Sequence, residues 1–329
     1  MLTVLHGFSA NDEFSLLAQS LQRRACRQGQ QVAYVADQAA RQPLSAWLKK
    51  ADHWVWTAGV LPAVFRCRAR QLVIPRLRYL RNNRTVSPAV LAGQIAYWLA
   101  PSQHTYDCLV RRWEGLRVLP VPFSFGPPGP VRQGTARHDC TTIWVHLDGR
   151  QCRHEGNQLS RFLLGAAKSY PGLRWLISLA RGVSRTSLRA LREVATRHDG
   201  FLIQRPTWDQ YHWLRDDADW LLSLQTRPDL CAVETLALQG CLPLITYRIP
   251  PLTEAADARW NALVVPCEQD HNGLWPAGRH HLLGMYAVLN RIHREDRDLD
   301  RCQAGYSPEM LEMREQKFQQ TWQELWQVR

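Results

Sequence analysis

The stretch "SLQTRPDLCAVETLALQGCLPLIT", residues 223–246, sets a lone carboxylate, Glu234, one turn inside an apolar segment that opens straight after a polar turn. The spacing predicts a helix over 230–239, capped by Asp229, with the N–H groups of Leu230, Cys231 and Ala232 free at its start. A helix start offers donors and partial positive charge to a phosphate, and a carboxylate just inside it can accept two hydroxyl hydrogen bonds from a ribose. Together they would hold a nucleoside diphosphate. The alternative is that Glu234 does no more than answer the helix dipole.

Other residues raise further chemistry. His6-Gly7 closes the first apolar run, where Gly7 would let a ligand approach the backbone closely. Asp12 and Glu13 follow at once, and with His53 they are the candidate acid–base groups; the alternative for either histidine is a satisfied structural role. The run "FRCRARQLVIPRLRYLRNNR" holds Arg66, Arg68, Arg70, Arg76, Arg78, Arg81 and Arg84 with no acid among them. Such a field attracts a polyanion or an anionic leaflet, unless it is simply a solvated basic face. Asp217-Ala218-Asp219 has metal-binding spacing but ends a helix before an apolar strand, where carboxylates serve as caps. The nine cysteines are scattered without a C-x-x-C, which fits reduced core thiols rather than zinc or disulfides. No metal is expected.

These groups need a frame. A chain of 329 residues is long for one domain. Short apolar runs alternate with helix-length segments twice over, an α/β rhythm of parallel sheets. In the first half the runs are "LTVLHGF", "QVAYVAD", "HWVWTAG", "QLVIPRL", "YWLAPS" and "LRVLPVPF", with helices near 13–27 and 103–113. A Pro- and Gly-rich stretch, "PFSFGPPGPVRQGTARHDC", follows, and the rhythm restarts with "TTIWVHLDG", "LRWLISLA", "GFLIQRP", "DWLLSLQT" and "LPLIT", with helices near 157–169, 185–198 and 207–216. The expected architecture is two Rossmann-like doubly wound domains facing a cleft, over 1–130 and 139–305, with a terminal helix at 306–329 crossing back. Charge divides the same way: residues 1–137 carry 18 Lys and Arg against 6 Asp and Glu, so the whole excess of +12 lies there. No apolar run reaches the roughly 20 residues a membrane-spanning helix needs. The opening residues lack the basic start and cleavage site of a secretory signal, which leads to the expectation of a cytoplasmic chain.

The 223–246 segment resembles the donor-binding signature of GT-B glycosyltransferases, especially family-4-like enzymes, through Glu234, Ala237, Gly240, Pro243 and Ile245. "YWLAPSQHTYDCLVRRWEGLRVLPVPF" resembles the end of that family's first domain, and "IWVHLDGRQCRHEGNQLSRFLLGAAKSYPGLRWLI" the first βαβ unit of its second, with Gly149-Arg150 at the family's Gly-Arg. The resemblance covers about residues 95–250 and implies two nucleotide-sugar-handling Rossmann-like lobes. The first Glu of the family's paired glutamates falls on Thr226, so Thr226, Arg227 or Asp229 would take its place. The family's Lys-Gly falls on Glu155-Gly156, which leaves Arg150, Arg153 and His154 to neutralise a leaving pyrophosphate. Implied is transfer of a sugar from a nucleotide-diphosphate sugar, used as substrate with no cofactor, to an anionic glycan or lipid-linked acceptor at an anionic membrane surface. Hydroxymethylated DNA is the alternative acceptor, and a binding module without turnover the non-enzymatic alternative.

Overall fold

The computed structural model describes the chain apart from residues 1, 8–12, 27–29, 37–43, 58–59, 77–79, 81–85, 126–139, 148, 181–182, 226–229, 256–260, 268–281, 295–298, 300, 303–305, 307 and 328–329. The chain forms two compact units. One holds Met1–Phe125 with Asn272–Trp275 and Arg314–Arg329; the other holds Gly126–His271 with Pro276–Met313.

The first unit is built on β1 (Leu2–Gly7), α1 (Glu13–Cys26), β2 (Gln31–Ala36), α2 (Leu44–Lys50), β3 (His53–Trp56), a 3₁₀ turn (Pro62–Arg66), β4 (Arg70–Val73), α3 (Pro88–Leu91), β5 (Tyr97–Ala100), α4 (Gln103–Arg112) and β6 (Val118–Pro120). All six strands are parallel, in the order β2-β1-β3-β4-β5-β6. A parallel sheet must bury both faces, which is why its strands read as continuous apolar runs. One face packs Val4, Trp54, Trp56, Val73 and Trp98 against Val60, Val64, Leu91 and Leu109. Ser102 caps α4 by accepting from Thr105 N–H, as Ser-Gln-His-Thr spacing predicts.

The second unit repeats the plan with β7 (Thr142–Leu147), α5 (Gly149–Ser169), β8 (Arg174–Leu179), α6 (Arg185–Arg197), β9 (Phe201–Gln204), α7 (Trp208–Asp217), β10 (Trp220–Ser223), α8 (Ala232–Gln239), β11 (Leu244–Tyr247), α9 (Leu252–Ala255), β12 (Ala262–Val265) and α10 (Leu282–Arg294). Its parallel sheet runs β12-β11-β10-β7-β8-β9. Alternate residues Ile143, Val145, Leu147, Trp175, Ile177, Leu179, Leu222 and Leu224 make one apolar face under α5, α6 and α10. The other face carries α7 and α8. Gly200 sits where a Cβ would come within 1.9 Å of the Trp175 carbonyl oxygen, so the approach to β9 admits no side chain.

The last helix, α11 (Pro308–Gln327), begins two residues later than the expected terminal segment. From Arg314 onward it belongs to the first unit. There Glu315 takes a 3.0 Å ion pair from Arg24 of α1 and a hydrogen bond from Ser124 Oγ, while Phe318 meets the Phe123 ring at 5.7 Å. No helix among the described residues is long and apolar enough to cross a membrane.

Candidate functional site

From β7 the chain moves outward through β8 and β9, then returns to β10 on the other side of β7. Such a reversal opens a crevice at the carboxyl edge of the two strands, where ligands of open parallel sheets sit. Two helices start at this edge, α5 two residues past β7 and α8 after β10.

The register places an unexpected feature beneath it. Ser223 pairs with His146, and His146 with Ser178. One step beyond the Leu222–Ile245 pair sets Thr246 beside Ser223. A row of polar residues, Ser178-His146-Ser223-Thr246, therefore crosses four neighbouring strands at one level on the α7/α8 face. Their exposures are 0%, 3%, 1% and 0%. Buried parallel strands ordinarily carry Val, Ile and Leu at such positions, so each polar residue needs a partner. Ser178 Oγ accepts Trp144 Nε1–H at 2.8 Å and lies 2.9 Å from His146 Nδ1. The His146 ring meets Tyr211 of α7 edge-on at 5.8 Å. Ser223 Oγ–H donates to Glu234 Oε1 at 2.5 Å.

Glu234 thus reaches down to the strand end instead of standing open above it, and it is 1% exposed. Three expectations are corrected here. The N-cap of α8 is Cys231, not Asp229, so the helix starts two residues late and Glu234 lies in its first turn. Cys231 is left-handed (φ 50°, ψ 42°) with no side-chain cap bond, a strained conformation for a residue with a Cβ. Leu230, Cys231 and Ala232 are 4%, 4% and 0% exposed, so this apolar entry packs into the core rather than leaving the helix start open. Gly240, by contrast, has a packing reason to be glycine: a Cβ there would meet Arg215 Cδ at 2.3 Å.

Helix α5 begins at Gly149, eight residues before the expected 157, because the polar stretch "GRQCRHEG" continues the helix rather than looping. Arg150 and Arg153 consequently lie in its first turns at the carboxyl edge, their side chains beyond the described ones. Glu155 acts on the Tyr247 phenol, whose pKa is raised first by burial and then by Cys267 and Glu155. Thr226, Arg227 and Asp229 lie outside the described residues. The Asp-x-Asp pair is structural: Asp217 holds Arg174 at 2.9 Å and Asp219 accepts Thr142 N–H at 2.8 Å.

In the first unit the same reversal falls between β1 and β3. Gly7 ends β1 there, opposite Ala36. His6 is 1% exposed, stacked by Trp54 at 5.8 Å and met edge-on by Trp56 at 5.0 Å, so its ring is core. Glu13 opens α1 with its side chain beyond the described ones, and Asp12 lies outside them altogether. His53 opens β3 beside Thr3 and Arg70. That is the amino edge, about 13 Å from the level of Gly7 at roughly 3.3 Å per residue, so His53 and Gly7 lie at opposite edges of the sheet. Burial, offset by Asp52, lowers its pKa.

The described arginines of the run lie at both ends of β4. Arg66 and Arg68 are exposed on the approach to β4, and Arg70 opens that strand with its guanidinium 5.9 Å from the Tyr97 ring centre. Arg76 follows the strand's far end and is 4% exposed. β4 therefore lies between Arg66, Arg68 and Arg70 at its start and Arg76 past its end. Arg78, Arg81 and Arg84 lie outside the described residues.

Sequence reasoning missed His146, Ser178, Thr246 and Gln225. The signal was present: "TIWVHL", "RWLISL", "WLLS" and "LITY" each carry a polar residue at or next to the strand's end.

No family model matches the chain, and no curated protein matches it. Solved structures do. A sucrose-phosphate synthase from Thermosynechococcus elongatus superposes with a TM-score of 0.66 at 11% identity, covering 100% of this chain and 99% of that one. The UDP-GlcNAc 2-epimerase of Neisseria meningitidis, solved with UDP-GlcNAc, gives 0.62 at 10% identity over 98% and 100%. The lipopolysaccharide outer core galactosyltransferase WaaB gives 0.52 at 11% identity over 97% and 95%. The chain spans only 57% of TarM and 59% of the pneumococcal O-GlcNAc transferase GtfA. With two parallel six-stranded sheets and helices on their faces, the chain has the fold of the GT-B glycosyltransferases and epimerases.

Proposed function

We propose that the chain is a glycosyltransferase that moves a sugar from a nucleotide-diphosphate sugar to an anionic acceptor, a lipopolysaccharide-type or lipid-linked glycan. One observation carries this reading: the reversal of strand order between β7 and β10, where α5 and α8 start at the carboxyl edge beside the buried polar row Ser178-His146-Ser223-Thr246. It lies in a fold whose solved examples include one holding UDP-GlcNAc and one lipopolysaccharide galactosyltransferase.

In this scheme the expected second domain, residues 139–305 with Thr226, Asp229 and Glu234, binds the donor. The α5 start, with Arg150 and Arg153 on its first turns, neutralises the departing diphosphate, because charge developing on that group needs fixed donors. Residues 1–130 take the acceptor beside Gly7, with Asp12 or Glu13 as base. The exposed Arg66 and Arg68 add attraction to an anionic inner leaflet, about 1 kcal/mol each near the surface, which supports the proposed location in the cytoplasm at the membrane face. The basic first half leaves hydroxymethylated DNA as the competing acceptor. A binding module without turnover is the second reading, favoured by the covered start of α8 and the engagement of Glu234 with Ser223.

The test is a thermal-shift screen with UDP-, GDP-, ADP- and TDP-sugars and the matching diphosphates, followed by donor hydrolysis. Binding with slow hydrolysis supports the enzyme, binding with none supports the module, and no shift with any of them removes both. Co-sedimentation with anionic liposomes against retention on hydroxymethylated DNA at about 0.15 M salt then separates the acceptors.

A further inference from the structure

Two members of the polar layer under α8 stand apart from the rest. Gln225 follows β10 by two residues, and strand alternation puts it on the Ser223 side, since Leu224 faces the opposite core. It is 3% exposed, and neither its amide oxygen nor its amide nitrogen meets a partner among the described residues. Thr246, beside Ser223 in register, is 0% exposed, and its Oγ1 likewise meets none. Their neighbours in this layer are engaged: Ser178 with Trp144 and His146, Ser223 with Glu234. A buried amide with both atoms unpaired is costly to the folded chain, and such groups persist where they serve a ligand or a strained site. The left-handed Cys231 at the adjoining helix start is strain of that second kind.

We propose that the Gln225 amide, helped by the Thr246 hydroxyl, binds a vicinal pair of hydroxyls on the donor. The chemistry selects this group. An amide offers an acceptor and donors side by side, which matches two hydroxyls that can each give and take a hydrogen bond. A phosphate only accepts, and the amide oxygen would repel it. A nucleotide sugar carries vicinal hydroxyls on its ribose and on many transferred sugars, and the chemistry an amide offers is the same for either. Gln225 is therefore a specificity residue of the β7/β10 crevice, and the inference rests on the donor reading above.

The test uses the full chain with Gln225→Met, which keeps length and removes both polar atoms, and Thr246→Val, which removes the hydroxyl alone. Melting without ligand is expected to be unchanged or higher in both, since an unpaired buried polar group is replaced by an apolar one. Affinity for the donor that stabilises the wild type should fall about tenfold in Gln225→Met, the equivalent of one hydrogen-bonded pair. A loss seen with the nucleoside diphosphate alone, and absent with its 2′,3′-dideoxy form, assigns the hydroxyls to the ribose; a loss confined to the nucleotide sugar assigns them to the transferred sugar. A lower melting temperature in Gln225→Met would show an amide already satisfied in the fold and overturn the inference, as would full retention of wild-type affinity. Should Gln225→Met not fold, Thr246→Val carries the same two readouts. A wild type that binds no member of the panel removes the donor reading and this inference together, whereas binding that both variants keep removes this inference alone.

Discussion

Ser223→Ala tests whether Glu234 anchors the carboxyl edge. Ser223 is 1% exposed and gives its hydroxyl proton to Glu234 Oε1 at 2.5 Å. A hydrogen bond to a charged, buried acceptor contributes about 1.5–3 kcal/mol, and its loss leaves the carboxylate short of a donor where water does not reach. We take about 2 kcal/mol for Ser223→Ala. In a unit of roughly 150–200 residues that lowers the melting temperature by about 4–8 °C. Glu234→Gln keeps an acceptor oxygen but loses the charge, so about 1 kcal/mol of the bond should survive. The double variant should then cost less than the two single changes added together, with a coupling of about 1 kcal/mol. Hydrogen exchange of residues 232–239 localises the effect, because the tie fixes the first turn of α8 to the end of β10. If Ser223→Ala melts within a degree of the wild type and exchange along α8 is unchanged, the anchoring argument is wrong, and Glu234 is free for a different role.

Glu315→Ala should destabilise the first unit by about 2 kcal/mol, below the fully buried case, because the Arg24 side chain it abandons is 20% exposed; chemical denaturation followed by fluorescence reads this, and a change under 0.5 kcal/mol would refute it. The lowered pKa of His53 makes the native state bind fewer protons than the unfolded chain just below pH 6.5. Its contribution is therefore present above that pH and lost as pH falls toward the folded value, and His53→Gln should flatten the melting curve's decline between pH 7 and 5. Burial raises the thiols of Cys67, Cys108 and Cys267, so each should be alkylated at pH 7.5 more slowly than free cysteine, with all nine reacting at ordinary rates after denaturation. Gly200→Ala should cost about 3 kcal/mol through overpacking, since its new Cβ meets the rigid Trp175 carbonyl.

The strands were the most legible part of the chain. Runs such as "TIWVHL" and "HWVW" are apolar, short and bounded by turn residues, which is what a doubly covered parallel strand requires. β12 and α10 escaped notice because "NALVV" is brief and its neighbours are polar. The start of α5 was misjudged because two glycines and a histidine in "GRQCRHEG" weaken helix propensity locally, and tertiary packing overrode it. Glu234 stood out in the sequence, but its direction did not: whether a first-turn acid faces solvent or a serine at the neighbouring strand's end depends on long-range register. His146, Ser178, Ser223 and Thr246 are isolated polar letters in four separate runs, and only strand pairing lines them up. For the described arginines of the run, closeness in sequence did not give closeness in space, because β4 runs between Arg70 and Arg76.

Splitting that run has an electrostatic consequence. Among the described arginines, Arg66 and Arg70 precede or open β4 and Arg76 follows its far end, so their charge is spread along the strand axis. A flat sheet of phosphates would therefore feel a few of these cations at a time. Of the four described arginines, Arg66, Arg68 and Arg70 share one end of the strand, so the slope of log affinity against log salt should report about three of them acting together rather than four.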